Sequence, residues 1–251
     1  MESQRWLTAI PVYNEARTVR GVLDAVRKVS PEILVIDDGS SDGTREILAA
    51  EPGLRRETHA TNRGYGAALA TAFDHAIRHG YDVLVTMDCD GQHEPARVPV
   101  LLEALTEGVD IVSGSRYLRD FRQDTQAPAD RSAINATITR EVNARYGLDL
   151  TDTFCGFKAY RVPALAKLAI TETGWGMPLQ LWVQAARLGL VIREIGVPRL
   201  YVDPNRSFGG GLDDPAARLA HYRRVLADAE AAFPALSLAP AGCPVDAAGC
   251  C

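Results

Sequence analysis

Short apolar runs alternate with longer amphipathic stretches along the first half of the chain. Trp6–Val12, Ile33–Ile36, Val83–Met87 and Asp110–Ser113 are brief, rich in β-branched residues and bounded by turn formers, the pattern of strands buried on both faces. Between them, Thr18–Val29 sets Val19, Val22, Leu23, Val26 and Val29 on one stripe, a helix continues from the turn at Gly43 to Ala50, and Ala67–His79 repeats Leu69, Ala72, Phe73, Ala76 and Ile77 at helical spacing. Strand and helix in strict alternation predict an α/β fold with a mostly parallel sheet flanked by helices on both faces.

The pattern loosens after Arg116. Residues 118–129 are polar and aperiodic, which predicts a mobile loop with the character of a lid. A helix at Arg131–Tyr146, a strand at Phe157–Tyr160, a helix at Leu179–Leu188 and a strand at Ile192–Val202 complete the expected core. Pro215–Phe233 is amphipathic through Leu219, Tyr222, Val225, Leu226 and Phe233, and is expected to pack on that core, with contact to a membrane surface as the alternative. The chain therefore reads as a single domain over 1–233, with a first half at 1–117 and a second at 118–233. An Ala/Pro/Gly-rich tail at 234–251 is expected to be disordered.

Composition narrows the function. A formal charge of -5 over 251 residues argues against a nucleic-acid binder, which would present a basic face. No stretch is apolar for long enough to span a bilayer, and the start does not resemble a signal peptide, so a cytoplasmic protein is expected. The five cysteines include no pair at zinc-knuckle spacing and are expected to be unpaired thiols.

In a parallel sheet, ligands gather at the carboxyl ends of the strands. The first strand runs into Pro11-Val12-Tyr13-Asn14-Glu15, an aromatic ring and a carboxylate where a base could stack and a ribose hydroxyl could bond, although a plain turn into a helix would read the same. The second ends in Asp37-Asp38-Gly39-Ser40-Ser41-Asp42-Gly43-Thr44. Ser41 or Asp42 suits a helix cap. Adjacent carboxylates at Asp37 and Asp38 exceed that need, and Asp38 is the better acceptor for base or ribose. The strand over Val83–Met87 ends in Asp88-Cys89-Asp90-Gly91-Gln92-His93. An Asp-x-Asp at a strand tip, with the Gln92 carbonyl as a third oxygen, is what Mg²⁺ or Mn²⁺ wants when phosphate oxygens and waters complete its shell.

These motifs, with Asn62-Arg63-Gly64-Tyr65-Gly66-Ala67-Ala68 and Gly114-Ser115-Arg116-Tyr117, resemble in order the inverting family-2 glycosyltransferases of GT-A fold, a Rossmann-like architecture, and within them the dolichyl-phosphate mannose synthase-like branch. The resemblance implies transfer of mannose or glucose from a nucleotide diphosphate sugar to a polyprenyl phosphate. It implies that Pro11, Tyr13, Glu15, Asp37, Asp38 and Asp88 hold the nucleotide, and that Asp88, Asp90 and Gln92 hold Mg²⁺ or Mn²⁺ and the diphosphate. Arg116, Arg131, Ser132, Arg206 and Ser207 would grip the acceptor phosphate. Asp90, Arg116 and Asp152 are the expected catalytic set. GDP-mannose leads as donor and UDP-glucose follows, and the acceptor implies peripheral contact at the cytoplasmic membrane face, directly or through a membrane-protein partner. The chain departs from the pattern at Cys155, where serine is frequent, at Gln180, where glutamate is frequent, and in carrying none of the membrane helices some members append.

A phosphate acceptor is already an anion near neutral pH and needs no base. A hydroxyl acceptor would need one, and Asp152 is the candidate. Two other readings compete. A nicotinamide-dependent oxidoreductase requires a Gly-x-Gly-x-x-Gly turn after the first strand, where Pro11-Val12-Tyr13 stands instead, and no P-loop occurs. A non-catalytic nucleotide-sugar-binding protein would need the donor motifs and not the acceptor arginines.

Overall fold

The computed structural model describes residues 4–202 and 207–233. Chain order is β1 (Trp6–Val12), α1 (Val19–Val26), β2 (Ile33–Asp37), α2 (Thr44–Ala50), β3 (Arg55–Thr58), α3 (Tyr65–Arg78), β4 (Val83–Thr86), a 3-10 turn (Pro95–Arg97), α4 (Val98–Ala104), β5 (Ile111–Ser115), α5 (Ala129–Tyr146), β6 (Lys158–Arg161), α6 (Val162–Leu165), α7 (Met177–Arg187), β7 (Ile192–Gly196) and α8 (Pro215–Ala232). Among the described residues these strands form one sheet in the order β3-β2-β1-β4-β6-β5-β7. All neighbours run parallel except β6, which is antiparallel to both β4 and β5.

Successive side chains of a strand point to opposite faces, and β1 divides accordingly. Leu7 and Ala9 enter one apolar core with α3, α5, α6, α7 and α8, while Ile10 and Val12 enter another with α1, α2 and α4. The expected sheet with helices on both faces is what the chain forms. Helix α8 packs on α5 and α7 through Tyr222, Val225 and Leu226, the core-packing alternative for that segment.

Two expected elements change. The last strand ends at Gly196 and not at Val202, since Pro198 brings no N–H to a ladder, and residues 199–201 bind the loop after β5 instead. That loop has no helix or strand before Ala129, as expected, yet it is laced in place. Asp124 accepts from the backbone N–H of Phe121 and of Arg199, and Thr125 bonds to Arg199 and Tyr201. The tail from Pro234 lies outside the described residues.

The single reversal in the sheet matters for chemistry. The carboxyl ends of β1, β2, β4 and β5 deliver Tyr13, Asp38, Asp88 and Arg116 to one edge. Because β6 runs the other way, its amino end lies at that same edge and brings Asp152–Phe157 to it.

Candidate active site

Loops after β1 and β2 are stitched to each other. Asn14 takes a left-handed conformation (φ 56°), its N–H donates to Ser40 Oγ at 3.0 Å, and its side-chain carbonyl accepts from Ser41 N–H at 2.8 Å. Gly39 turns at φ 76° against the backbone of Thr61 and Asn62, where a Cβ would collide. Asp38 then organises the approach to α3. It accepts from Arg63 N–H at 2.9 Å and Gly64 N–H at 2.8 Å, and His59 Nδ1 lies 2.6 Å from its Oδ1. The carboxylate expected to meet a base or ribose is thus engaged by three protein partners, although it still borders the cavity described next. Asp37 does not reach that cavity. Its oxygens accept from Ser40 N–H and Arg45 Nε, so it fastens the turn to α2, and its expected nucleotide contact is corrected to a structural one. Asp42 accepts from Thr44 N–H and hydroxyl and from Ala16 N–H, which burial opposes but the hydrogen bonds outweigh, holding its pKa below the usual value.

Two cavities open at the carboxyl edge. The larger, about 980 Å³, is bordered by Pro11, Tyr13, Glu15, Asp38 and the Asn62–Tyr65 turn. Its size lies within the range of small-molecule and cofactor sites. The smaller, about 150 Å³, is bordered by Arg116, Arg131 and Arg218 and by the apolar faces of Ile134, Phe154, Pro178 and Tyr222. Tyr65, Asp88, Asp90, Gln92, Trp175, Ser207 and Phe208 border both. The Asp-x-Asp motif therefore stands where the two spaces meet.

Around that motif the backbone turns tightly. Asp90 Oδ1 accepts from Gln92 N–H at 3.0 Å across Gly91 (φ 76°), and Asp88 N–H donates to His93 Nδ1 at 3.0 Å. Asp88 Oδ1 accepts from the Tyr65 hydroxyl at 2.9 Å. Gly156 comes so close to Asp88 that a Cβ there would lie within 2.7 Å of both carboxylate oxygens. Among the described residues no cluster of three His, Cys, Asp or Glu side chains forms a metal cage. Two carboxylates and an amide carbonyl at a cavity junction are nonetheless the oxygen-only partial set suited to Mg²⁺ or Mn²⁺, which take remaining ligands from phosphate and water.

On the smaller cavity, Arg116 grips Asp152 through Nε to Oδ2 at 2.7 Å and Nη2 to Oδ1 at 3.0 Å. Asp152 is fully buried, receives Asn135 Nδ2 at 2.8 Å and Phe154 N–H at 3.1 Å, and borders neither cavity. Burial alone would raise its pKa, but Arg116 and these donors bring it down to about 2. A buried carboxylate paired with Arg116 and lowered in this way is a weak proton acceptor, and the geometry favours a partner of Arg116 over the expected general base. Its work is to orient Arg116, and Glu194 of β7 holds its turn by accepting from Thr151 and Asp152 N–H.

Of the other expected acceptor residues, Arg131 borders the cavity with its guanidinium over the Phe208 ring at 4.7 Å. Ser207 borders it too, its hydroxyl donating to Asp213. Ser132 meets the Tyr117 hydroxyl at 3.5 Å and does not border the cavity, so its expected phosphate contact is corrected. Arg206 lies outside the described residues. Cys155 is buried, with its sulfur 3.9 Å from His93 Nε2. Gln180 accepts from Thr171 and Glu172 N–H at 2.8 Å each, bracing the loop before α7 rather than facing either cavity.

The sequence reading missed Tyr65, Trp175, Phe208, Arg218 and Tyr222. Tyr65 lay inside a quoted motif without a role. Arg218 is hidden within an amphipathic helix, where it is buried, ion-paired with Asp130 and stacked over Phe208 at 4.5 Å.

Comparison with known proteins adds relatives. Residues 8–169 match the glycosyl transferase family 2 model. The chain is 36% identical over 202 residues to an undecaprenyl-phosphate mannosyltransferase of Micrococcus luteus, covering 77% of this chain and 82% of that protein. It is 34% identical over 205 residues to a polyprenol monophosphomannose synthase of Mycolicibacterium smegmatis, covering 78% and 77%. Among solved structures, glucosyl-3-phosphoglycerate synthase from Mycobacterium tuberculosis in complex with Mg²⁺ and UDP superposes with a TM-score of 0.71 over 90% of this chain and 79% of that one, at 22% identity, a likeness of fold.

Proposed function

The chain belongs to glycosyl transferase family 2, and from that premise we propose that it transfers a hexose from a nucleoside diphosphate sugar to a polyprenyl phosphate. The observation that carries this reading is the wall shared by two unlike cavities. A space of about 980 Å³ with Tyr13 and Glu15 suits a nucleotide sugar. A space of about 150 Å³ with arginines and aromatic faces suits a phosphate followed by the first apolar carbons of a lipid. Both relatives are named for mannose on a polyprenyl carrier, which favours mannose here, carried by GDP, with UDP-glucose as the second donor.

In this reading Tyr13 stacks on the base, Pro11 and Glu15 border the nucleoside, and Asp38 shapes that end of the cavity. Asp88, Asp90 and the Gln92 carbonyl hold a divalent cation, as solved neighbours hold Mg²⁺ or Mn²⁺ beside UDP. When bound, the cation offsets charge on the departing diphosphate. Arg116, fixed by Asp152, and Arg131 orient the acceptor phosphate for a single displacement at the anomeric carbon, which inverts its configuration. The attacking oxygen is already anionic near neutral pH, so no side chain has to take a proton. The hydroxyl-acceptor alternative would need Asp152 as its base, and the pairing of that carboxylate with Arg116 speaks against it, while no observation favours a purely sensory role over transfer.

No described helix is long and apolar enough to cross a membrane. The acceptor's tail would lie in the bilayer, so the protein works peripherally at the cytoplasmic face, brought there by its own surface or by a membrane-protein partner. The test is transfer from GDP-mannose and from UDP-glucose to a short polyprenyl phosphate, with Mg²⁺ or Mn²⁺ and with chelator. A lipid-linked product that forms with GDP-mannose and disappears with chelator supports the reading. Donor hydrolysis without lipid product sinks its acceptor half.

A further inference from the structure

Tyr65 is the first residue of α3, and everything around it is fixed. The N–H of Gly64 is held by Asp38 at 2.8 Å, and Ala67 N–H donates to the Thr173 carbonyl at 3.1 Å, so the first helical turn is pressed against the loop before α7. Gly64 and Gly66 permit that approach, since a Cβ on either would collide with the carbonyls of Thr173 and Glu172. The same loop carries Trp175, whose ring stacks on Tyr65 with centroids 5.0 Å apart and planes 16° apart. The indole Nε1–H in turn donates to the Phe208 carbonyl at 2.9 Å.

The hydroxyl of this clamped ring donates to Asp88 Oδ1 at 2.9 Å. Facing a carboxylate, which only accepts, the phenol is the donor of that bond. Gly156 closes in on the carboxylate from another side. A short side chain that would otherwise rotate about its own bond is thereby held in one orientation at the junction of the two cavities.

We propose that Tyr65 is a positioning residue for transfer: its hydroxyl, braced by the Trp175 ring, sets the orientation in which Asp88 meets a divalent cation and diphosphate. The inference rests on the reading of Asp88 as a cation ligand given above. Groups that orient a metal ligand from behind commonly change metal affinity by about 10- to 100-fold when removed, whereas a ring that merely fills space would change the folded fraction and leave affinity alone.

The experiment is Mn²⁺ titration followed by electron paramagnetic resonance, with GDP and separately UDP present, on the parent protein, Tyr65→Phe and Trp175→Ala. Tyr65→Phe keeps the ring and loses only the hydroxyl. It should weaken Mn²⁺ binding by about 10-fold or more and lower kcat at saturating metal, with the KM for the lipid acceptor unchanged. Trp175→Ala keeps the hydroxyl and removes its brace, and should weaken Mn²⁺ in the same direction by a smaller factor. It also decides the matter if Tyr65→Phe does not fold. Parent-like Mn²⁺ affinity in the folded variants overturns the inference. A parent protein that binds no Mn²⁺ with either nucleotide overturns instead the underlying assignment of Asp88, so the two failures are distinguishable.

Discussion

Arg116 and Asp152 form a fork-to-fork pair, two parallel hydrogen bonds of 2.7 and 3.0 Å, with the carboxylate fully buried and the guanidinium bordering the smaller cavity. The pair tells apart two mechanisms. Were Asp152 a base, Asp152→Asn would cost about 10²- to 10⁴-fold in rate. As an orienting partner, the asparagine keeps one oxygen for Arg116 but sets its NH2 against other donors, so the loss expected in transfer assays falls on the acceptor KM, with kcat lowered by under about 10-fold.

The same pair predicts a pH dependence of stability. The Asp152 pKa falls from 3.8 to about 2 on folding. Its stabilisation is therefore present above about pH 4 and is lost as pH falls from there through about 2, an effect on the order of 2 kcal/mol at roughly 1.4 kcal/mol per unit. Urea unfolding of the parent and of Asp152→Asn between pH 7 and 3 should show a gap that narrows on the acid side. A gap independent of pH would mean that the charge of Asp152 contributes nothing.

Gly156→Ala should disable the site with little cost to the rest of the fold. Its φ needs no special freedom, so the effect is steric: the new methyl would lie 2.5 Å from the Tyr65 hydroxyl and 2.6 to 2.7 Å from the Asp88 oxygens. Overpacking of this kind costs about 1 to 3 kcal/mol. Relief by displacing Asp88 would cost turnover instead. Melting within several degrees of the parent, together with a loss of transfer of about 100-fold, is the expected outcome. Full activity would mean that Asp88 need not sit where it does.

The sequence reading recovered the parts of the chain that obey simple periodicity. The runs at β1, β2 and β4 were legible because each is apolar nearly throughout, and β5 because a short β-branched start is bounded by turn formers; their ends pointed to Tyr13, Asp38, Asp88 and Arg116 as candidate site residues. The GT-A assignment followed from motif order and holds. β3 was not legible, because Arg55-Arg56-Glu57-Thr58 is an exposed edge strand whose charges guard an unpaired ladder. Short α4 and α6 gave too few turns for a period to emerge. The pairing of Asp152 with Arg116 was not legible because a sequence displays a carboxylate and not its burial. Tyr65 and Trp175 are 110 residues apart in sequence, and only the stacking of α3 against the loop before α7 makes them a unit.

Substitutions on the two sides of the shared wall should separate donor from acceptor. Tyr13 is 44% exposed and borders only the larger cavity, and an aromatic stack on a base is worth about 1 to 3 kcal/mol. Tyr13→Ala should therefore raise the donor KM by about 5- to 100-fold and leave the acceptor KM in place. Arg131 borders only the smaller cavity, and hydrogen bonds to charged groups contribute about 1.5 to 3 kcal/mol. Arg131→Ala should raise the acceptor KM by about 10- to 100-fold with the donor KM unchanged, and Arg131→Lys should recover part of it. If both changes move the same KM, the assignment of one cavity to each substrate is wrong.

Gln180 tests how far a residue can matter to this site without touching it. Its Oε1 accepts from the backbone of Thr171 and Glu172, and its Nε2 donates to the Thr171 hydroxyl, all at 2.8 Å and nearly buried. Gln180→Ala leaves two backbone donors without partners, at about 1 to 3 kcal/mol each, and loosens the loop that carries Trp175 and presses on the first turn of α3. Gln180→Glu keeps an oxygen for both donors, and the Thr171 hydroxyl can turn from accepting to donating. Urea unfolding at neutral pH should show a loss of about 2 to 4 kcal/mol for the alanine variant and under about 1 kcal/mol for the glutamate. Mn²⁺ affinity should fall only in the alanine variant, because only there does the brace under Tyr65 give way. A glutamate variant as unstable as the alanine one would show that the site rejects charge at this position, and that the amide contributes more than acceptors for two N–H groups.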